Sequence, residues 1–326
     1  MARAERVLLA GIDEAGLGPL LGSLAIGYAL LEVPADEPEP WKRLRGTVAR
    51  TPSARAGLVV ADSKLVFQRT ERGARRLETT VLAFLAQLEG GAGASGDARR
   101  FLFGGLAPEP RWRELPWCPD LPELPCDVSR DALELRAALL AKALTRARIE
   151  VVDAGVRLVP AGELNASFEE TGNKATSVWS RVQEVLTHVW THRARAPLRT
   201  TVDMLGGRRR YGSLLGRAFP EANVTLVAET TGRSAYAIAA RDGSGTMQLE
   251  FRVKADRRSF EVALASCLAK YARELEMRAL NAHFTRLQPE LVPTAGYRGD
   301  GTRWLKEAGA ALARSGLPRE ILVRTR

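Results

Sequence analysis

Four acidic side chains from three distant parts of the chain are the residues best placed to do chemistry. They are Asp13 and Glu14 after an apolar run, Asp203 at the end of a β-branched run, and Asp256 before a helical pattern. Carboxylate oxygens gathered in one cleft are the ligands that Mg²⁺ and Mn²⁺ prefer. Crowded acids repel one another unless a cation lies between them, so we expect metal binding and substrate entry to be coupled. Taken singly, each acid also fits a solvated strand end or a helix cap.

The first pair of acids belongs to the stretch G-I-D-E-A-G-L-G, residues 11–18. An apolar run that stops at two carboxylates and then at glycines indicates a buried strand that leads into a tight turn. Because side chains alternate along a strand, Asp13 and Glu14 reach one pocket only if the backbone bends near them. Gly16 and Gly18 permit such a bend and let backbone N–H groups approach a phosphate or a sugar. The other interpretation is a strand end with solvated acids.

The other metal-ligating residue types are few, namely three cysteines and three histidines. The cysteines form no C-x-x-C pair, which argues against a zinc cluster and fits a reducing compartment. His188 and His192 are four residues apart on a predicted helix, the spacing of a metal-binding pair, but no third ligand is near them in the sequence. We therefore expect carboxylates to carry the metal chemistry, with the histidines at the surface or in the core.

Composition describes a large globular protein with a strong positive charge. The chain has 326 residues, 45% of them hydrophobic, and a formal net charge of +10. A basic balance of this size favours a polyanionic partner, nucleic acid before a membrane surface. No apolar run approaches the roughly 20 residues that span a bilayer, and the N-terminus lacks the apolar core of a signal peptide. We expect a cytoplasmic protein that does not enter membranes.

Alternating and helical patterns predict a chain of mixed strands and helices. Helices are predicted at 70–88, 131–148 and 173–190, and strands at 20–33, 149–159, 198–204, 223–228, 236–240 and 247–253. The stretch 90–96 has the composition of a flexible linker, and 101–125 is predicted to be an irregular insertion in which Trp112 and Trp117 pack. Residues 208–211, three arginines and a tyrosine, are either a cluster beside the cleft for phosphates or a base, or a solvated helix start.

Two stretches resemble motifs of the type 2 ribonuclease H family, ribonuclease HII. G-I-D-E-A-G-L-G-P-L-L-G at 11–22 is similar to the opening of that family, and K-A-D-R-R-S-F-E-V-A-L-A-S-C-L-A-K-Y-A-R-E at 254–274 is similar to a later motif. Shorter segments resemble further family motifs in the same order: D-S-K at 62–64, L-R-T-T-V-D-M at 198–204 and T-A-G-Y at 294–297. A looser similarity marks Asn165, Asn173 and Lys174 as candidates for contact with a nucleic-acid backbone.

The resemblance implies a ribonuclease H-like α/β fold, with a mixed central sheet flanked by helices. An extra β-hairpin insertion and a C-terminal helical segment are expected to be added to it. We expect a single domain over 1–326, with insertions at about 90–130 and 205–250 and the C-terminal segment at 280–326.

The resemblance also implies a metal-dependent endonuclease that cuts the RNA strand of RNA/DNA hybrids, or ribonucleotides embedded in duplex DNA. Its Mg²⁺ or Mn²⁺ ions would be held by the metal-binding and catalytic residues Asp13, Glu14, Asp203 and Asp256, in a two-metal hydrolysis that leaves 5′-phosphate and 3′-hydroxyl ends. The substrate-binding residues that it implies are Gly16, Leu17, Gly18, Ser63, Lys64, Ser266 and Tyr297. The turn at 16–18 would read the 2′-hydroxyl through its backbone. We expect a monomer whose partner is that nucleic acid.

One position departs from the family pattern, because Leu17 stands where the family has an arginine. A guanidinium that contacts phosphate is thereby lost, and the arginines at 208–210 are candidates to replace it. Two other functions stay open: a non-catalytic nucleic-acid-binding relative, and a two-metal nuclease acting on DNA or structured RNA. Retention of all four acids favours an enzyme, because a binding scaffold gains nothing from acids that face phosphates.

Overall fold

The computed structural model describes residues 5–53, 57–88, 96–104, 106 and 115–325. Its strands are β1 (Arg6–Ala15), β2 (Leu24–Pro34), β3 (Val48–Ala49), β4 (Leu58–Val59), β5 (Gly96–Asp97), β6 (Glu123–Leu124), β7 (Glu150–Val159), β8 (Leu198–Asp203), β9 (Ala222–Thr230), β10 (Arg233–Ala240) and β11 (Thr246–Arg252). Its helices are α1 (Pro40–Arg43), α2 (Ser63–Val66), α3 (Glu71–Leu85), α4 (Ala98–Phe103), α5 (Arg130–Ala147), α6 (Ala161–Thr171), α7 (Lys174–Trp190), α8 (Gly212–Ala218), α9 (Phe260–Leu287), α10 (Arg298–Glu307) and α11 (Gly309–Ser315). Short 3₁₀ turns lie at Cys118–Asp120, Thr191–Ala194, Ala255–Arg257 and Arg319–Ile321.

A mixed sheet of seven strands forms the centre of the described structure, in the order β7-β2-β1-β8-β11-β10-β9. On one side of β1 the pairing is antiparallel, to β2 and then to β7. On the other side β1 pairs parallel with β8, and β8 pairs parallel with β11. The hairpin of β9 and β10 completes the far edge. Because β1 and β8 run side by side in the same direction, their carboxyl ends meet at one edge of the sheet.

Helices cover both faces of the sheet, and the alternation of β1 divides its side chains between them. Val7 and Leu9 belong to the core beneath α9, whereas Leu8, Ala10 and Ile12 belong to the core beneath α7. A strand that is buried on both faces has a continuous apolar sequence, which explains the unbroken run before the first acids.

Two glycines let α9 lie directly on the sheet. A Cβ at Gly11 would lie 2.1 Å from the carbonyl carbon of Glu261, and a Cβ at Gly27 would lie 2.1 Å from the carbonyl oxygen of Ala265. A side chain at either position would push the helix off the sheet, because packed interiors leave no space for it. The close approach places the first half of α9 beside the end of β1, where Asp13 lies.

The predicted fold class is confirmed. The structure is a mixed central sheet flanked by helices, with the β9–β10 hairpin added at one edge and α10 and α11 forming a C-terminal helical segment. The single-domain organisation and the bounds of its insertions stay predictions. In the described part of the chain, no helix is both long and apolar enough to cross a bilayer.

The insertion predicted at 101–125 has more structure than expected, and Trp112 and most of the linker lie outside the described residues. Trp117 is buried, and its indole N–H donates to Oε1 of Glu276 at 3.1 Å, so it packs as predicted. The interpretation of Tyr211 as a residue that stacks on a base is wrong. Its ring is fully buried and stacks on Phe251, with centroids 3.6 Å apart.

Candidate metal centre

Acids from two neighbouring strands converge at one edge of the sheet. Ile12 of β1 lies opposite Val202 of β8, so Asp13 and Asp203 follow side by side. Asp13, Glu14 and Asp203 each present a carboxylate oxygen, and these oxygens lie within 4.8 Å of one another. β1 continues to Ala15, and the expected bend comes after the acids, at Gly16 with a φ of 92°. Glu14 thus reaches the same pocket as Asp13, as the distances between the carboxylate oxygens show, although side chains alternate along β1.

Burial and like charge raise the pKa of each of these carboxyls. Asp13 is 8% exposed, and burial raises its pKa well above the ordinary value, with further contributions from Glu14 and Asp203. Burial and the charge of Asp203 raise the pKa of Glu14 to about 7. The pKa of Asp203 is also raised, chiefly by burial. A divalent cation among these carboxylates would offset the repulsion between them.

A fourth acid, Asp256, lies in the 3₁₀ turn Ala255–Arg257, beside the group of three but not within it. The N–H of Ala255 donates to Oδ1 of Asp203 at 2.8 Å, which fixes this turn against the end of β8. Burial, together with Asp62 and Asp203, raises the pKa of Asp256 to about 6. Asp256 is thus close enough to the three carboxylates to add to their negative field.

Asp62 is a further acid of this neighbourhood, and the sequence analysis gave it no role in the site. It does cap α2, because its Oδ1 accepts the N–H of Lys64 at 3.0 Å, and its Oδ2 lies 3.2 Å from Nη2 of Arg257. It is also buried, and its charge acts on both Asp203 and Asp256. The only sequence feature that marks Asp62 is its place as the first residue of D-S-K. The resemblance assigned substrate contacts to the two residues that follow it, Ser63 and Lys64, and none to Asp62.

Two buried hydroxyls connect the D-S-K segment to Asp13. The Oγ atoms of Ser63 and Ser266 lie 3.0 Å apart, and Ser266 also hydrogen-bonds to Asp13, which lowers the pKa of that carboxyl against the larger effect of burial. Lys64 is exposed, and its charge acts on Glu14 and on Asp203 at the mouth of the site. The serines therefore orient the metal-binding edge from within, while Lys64 is available to an anion from solvent.

The glycine turn after β1 is held by two cations from distant parts of the chain. The guanidinium of Arg324 donates to the carbonyl of Gly16, and Nζ of Lys174 donates to the carbonyl of Leu17 at 3.2 Å. A trans peptide places its N–H opposite its C=O, so the N–H groups of Leu17 and Gly18 point away from these cations. A Cβ at Gly18 would meet no atom within 4 Å, so the turn is open on that side.

Two buried arginines and one buried glutamate support the segment that follows the turn. Arg273 donates to the carbonyl of Ser23 at 2.7 Å, and Nε of Arg324 donates to the carbonyl of Gly22 at 2.7 Å. Glu276 accepts the N–H of Ser23 at 3.3 Å, and its charge favours the protonated form of both arginines. Burial and the charge of Arg273 lower the pKa of Arg324 to about 9. Two guanidiniums against one carboxylate give this group a net positive charge.

The cations at the turn differ from those that the sequence suggested in place of the family's arginine. The structure brings Arg324 and Lys174 to the carbonyls at 16 and 17, whereas the arginines at 208–210 lie in the segment between β8 and α8. Arg324 carries no local motif, so sequence reasoning passed it over. Its contacts join residues at opposite ends of the chain and depend on the tertiary fold.

Asn165 does not face a nucleic acid, so its interpretation as a backbone-contact residue is wrong. It is buried, and its Nδ2 donates to the carbonyls of Glu320 and Val323, both at 2.8 Å. Its Oδ1 accepts the N–H of Thr325 at 2.9 Å. Asn165 thus fastens the segment that carries Arg324. Asn173 caps α7 by accepting the N–H groups of the first helical turn.

Tyr297 lies next to the glycine turn. The carbonyl of Gly296 accepts the N–H groups of Leu20 and Leu21 at 2.7 and 3.0 Å, which places the N-terminus of α10 beside the segment after the turn. The Tyr297 side chain is 46% exposed, and the guanidinium carbon of Arg69 lies 5.5 Å from the centre of its ring. An exposed ring held beside an anion-accessible turn can stack on a sugar or a base.

The donor set fits a hard divalent cation. Asp13, Glu14 and Asp203 supply carboxylate oxygens alone, with Asp256 adjacent, and such ligands suit Mg²⁺ or Mn²⁺. Without a cation, burial raises the pKa of Asp13 and of Glu14 and so favours their protonated forms. A bound cation would favour the ionised forms of both carboxyls.

No protein-family model matches the chain, and no curated protein matches it. Solved structures do match over nearly its whole length. The ribonuclease HII of Archaeoglobus fulgidus, solved in complex with PCNA, is 16% identical over 98% of this chain and 94% of its own, with a TM-score of 0.43. The ribonuclease H2 of Pyrococcus horikoshii is 18% identical over 98% and 93%, with a TM-score of 0.39. The ribonuclease H3 of Aquifex aeolicus is 13% identical over 97% and 71%, with a TM-score of 0.38.

Proposed function

We propose that this protein is a metal-dependent endonuclease that hydrolyses RNA paired with DNA, or ribonucleotides embedded in duplex DNA, leaving 5′-phosphate and 3′-hydroxyl ends. The observation that carries the proposal is the convergence of Asp13, Glu14 and Asp203, with carboxylate oxygens within 4.8 Å of one another at an open sheet edge. Three acids that approach so closely are costly to the fold unless they bind cations. The formal net charge of +10 supports a polyanionic substrate.

The three carboxylates, with Asp256 beside them, would hold Mg²⁺ or Mn²⁺. The chemistry that such ions supply is activation of the attacking water and stabilisation of the departing 3′ oxygen. Ser266 orients Asp13 through its hydrogen bond, and the N–H of Ala255 orients Asp203. Preorganised ligands of this kind avoid reorganisation when substrate arrives.

The glycine turn would position the scissile nucleotide. Arg324 and Lys174 bind the carbonyls at 16 and 17, so the N–H groups of Leu17 and Gly18 point away from these cations and would be available to a phosphate or a 2′-hydroxyl. This arrangement needs no side chain at position 17, which explains how Leu17 can occupy the position of the family's arginine. Lys64 and Tyr297 flank the turn, as a phosphate ligand and a stacking ring respectively.

A matched set of duplexes tests the proposal. Purified protein is incubated with Mg²⁺ or Mn²⁺ and with duplexes of one sequence that contain zero, one or several ribonucleotides. We expect cleavage only where ribonucleotides are present, with 5′-phosphate products, and loss of cleavage with retained duplex binding in Asp13→Asn. Equal cleavage of the all-DNA duplex would indicate a DNA nuclease, and binding without cleavage in either metal would indicate a non-catalytic relative.

A further inference from the structure

A second cluster of metal-ligating side chains lies away from the acids. Asp153 of β7, His188 of α7 and His192 of the 3₁₀ turn that follows α7 each offer one ligand atom, and the three atoms lie within 4.8 Å of one another. Nε2 of His188 lies 2.6 Å from Oδ2 of Asp153, and Nε2 of His192 lies 3.5 Å from the same oxygen. The sequence shows the histidine pair but no third ligand, because Asp153 comes from a strand that only the fold brings to the helix.

The cluster is separate from the proposed nuclease site. Asp153 lies opposite Leu30 of β2, whose side chain belongs to the core beneath α7, whereas Asp13 bonds to Ser266 of α9 on the other face. Leu30 in turn lies opposite Ala10 of β1, about 10 Å along the strand from Asp13 at the usual rise per residue. The two groups therefore act on different faces of the sheet.

A supporting residue stands behind the ligands. The hydroxyl of Tyr28 lies 3.4 Å from Oδ1 of Asp153, the oxygen that does not face the histidines. The Tyr28 ring also contacts His188 edge-on, with centroids 5.3 Å apart. Metal sites in proteins commonly have such groups, which fix the orientation of the ligands.

We propose that Asp153, His188 and His192 form a zinc site that fastens α7 to β7. Two imidazole nitrogens and one carboxylate oxygen, with a remaining position for water, suit Zn²⁺ better than Mg²⁺, in contrast to the all-carboxylate centre. The side chains are 23–30% exposed, so an ion can enter from solvent.

The zinc site would stabilise α7, the helix whose first residue contacts the glycine turn. The histidines lie in the last turn of α7 and just beyond it, and the first residue of α7 is Lys174, which binds the carbonyl of Leu17. Zinc would cross-link the end of α7 to the edge of the sheet and thereby hold Lys174 at the glycine turn. The zinc site itself takes no part in hydrolysis.

Zinc and cobalt titrations of the full chain test the proposal. Protein treated with a chelator is titrated with Zn²⁺ by calorimetry in excess Mg²⁺, and separately with Co²⁺ followed by visible absorption. We expect one equivalent of Zn²⁺ to bind, and Co²⁺ to give the intense bands of four-coordinate geometry. His192→Ala and His188→Ala should each weaken Zn²⁺ binding at least about tenfold and remove those bands.

Two matched variants separate this site from its surroundings. His283→Ala removes the remaining histidine, which lies near Asp120, and Asp13→Asn alters the carboxylate centre; both should bind Zn²⁺ as the parent does. If His188→Ala fails to fold, His192→Ala still decides, because its contact with Asp153 is the longer one. Unchanged Zn²⁺ affinity in His192→Ala, absence of the Co²⁺ bands in the parent, or their loss in Asp13→Asn would overturn the proposal.

Discussion

The guanidinium of Arg324 donates a hydrogen bond to the carbonyl of Gly16, and so joins the last described segment of the chain to the turn that follows the acids of β1. Through its Nε the same side chain binds the carbonyl of Gly22. One buried cation thus fixes both ends of the segment 16–22. The turn proposed to read the substrate depends on a residue far from it in sequence.

Arg324→Ala should impair both stability and cleavage. Loss of charged hydrogen bonds to buried carbonyls should lower the free energy of unfolding by about 1.5–3 kcal/mol. Displacement of the turn should reduce kcat/KM on a single-ribonucleotide duplex by about tenfold or more. Urea unfolding and steady-state cleavage measure the two effects. Arg314→Ala, an exposed arginine on α11, is the control and should change neither.

Glu276→Gln should be among the most destabilising single substitutions near the turn. It removes a charged acceptor of two buried N–H groups, those of Ser23 and Trp117, together with the negative charge that favours the protonated forms of Arg273 and Arg324, so it should lower the free energy of unfolding by about 1.5–3 kcal/mol. Glu274→Gln is the matched control, because that side chain is 32% exposed and pairs with Lys270, so it should cost less than about 1 kcal/mol. Equal losses of unfolding free energy in the two variants would contradict the assignment of Glu276.

Metal binding should release protons near neutral pH. The pKa of Glu14 is raised to about 7 and that of Asp256 to about 6, so both hold protons that a cation must displace. Calorimetry of Mg²⁺ or Mn²⁺ binding at pH 6.5 in buffers of different ionisation enthalpy, a pH chosen as about midway between those values, measures the release. We expect it to fall in Glu14→Gln, and the share that comes from Glu14 and Asp256 to be lost above about pH 8.

The same shifts set the sign of the pH dependence of stability without metal. A raised pKa means that the folded state binds the proton more tightly, so the contribution of Glu14 is fully present below its unfolded pKa of about 4.5 and is lost as pH rises to about 7. The free energy of unfolding of chelator-treated protein should therefore fall between these pH values more steeply in the parent than in Glu14→Gln. An equal slope in the two proteins would argue against the raised pKa of Glu14.

Ser266→Ala tests whether that hydroxyl positions Asp13. Its hydrogen bond lowers the pKa of Asp13, so its removal should raise that pKa further and move the acidic limb of the kcat/KM profile to higher pH. Ser63→Ala removes a hydroxyl one contact further away and should produce a smaller shift. A loss of activity in Ser266→Ala without any change in the shape of the pH profile would indicate a packing role only.

Local patterns were sufficient to predict many elements of this fold. The helix predicted at 131–148 is Arg130–Ala147, and the strand predicted at 149–159 is Glu150–Val159, because apolar periodicity and turn residues are local signals. The strand predicted at 20–33 begins only at Leu24, since the preceding residues form the segment that Arg273 and Arg324 hold.

The candidate site could be predicted only where a local motif marks it. The acids at 13, 14 and 203 end apolar runs, and a strand end is visible in sequence. Arg324 and Asp153 carry no such signal, because their importance comes from contacts with residues more than 30 positions away. Asp62 belongs to the local motif D-S-K, but its effect on Asp203 and Asp256 comes from the fold. Asn165 was misinterpreted for the same reason, as its partners lie in the segment 320–325.

Asp203→Asn is the sharpest test of the shared metal centre, because Asp203 is the acid that a second strand must bring to the first. We measure cleavage of a duplex with one ribonucleotide in Mn²⁺, together with binding of the same duplex without metal, with the exposed Asp242→Asn as control. We expect a loss of about a thousandfold in kcat, equal to about 4 kcal/mol, with duplex binding retained and the control unchanged. Cleavage by Asp203→Asn at the rate of the parent would contradict the shared metal centre.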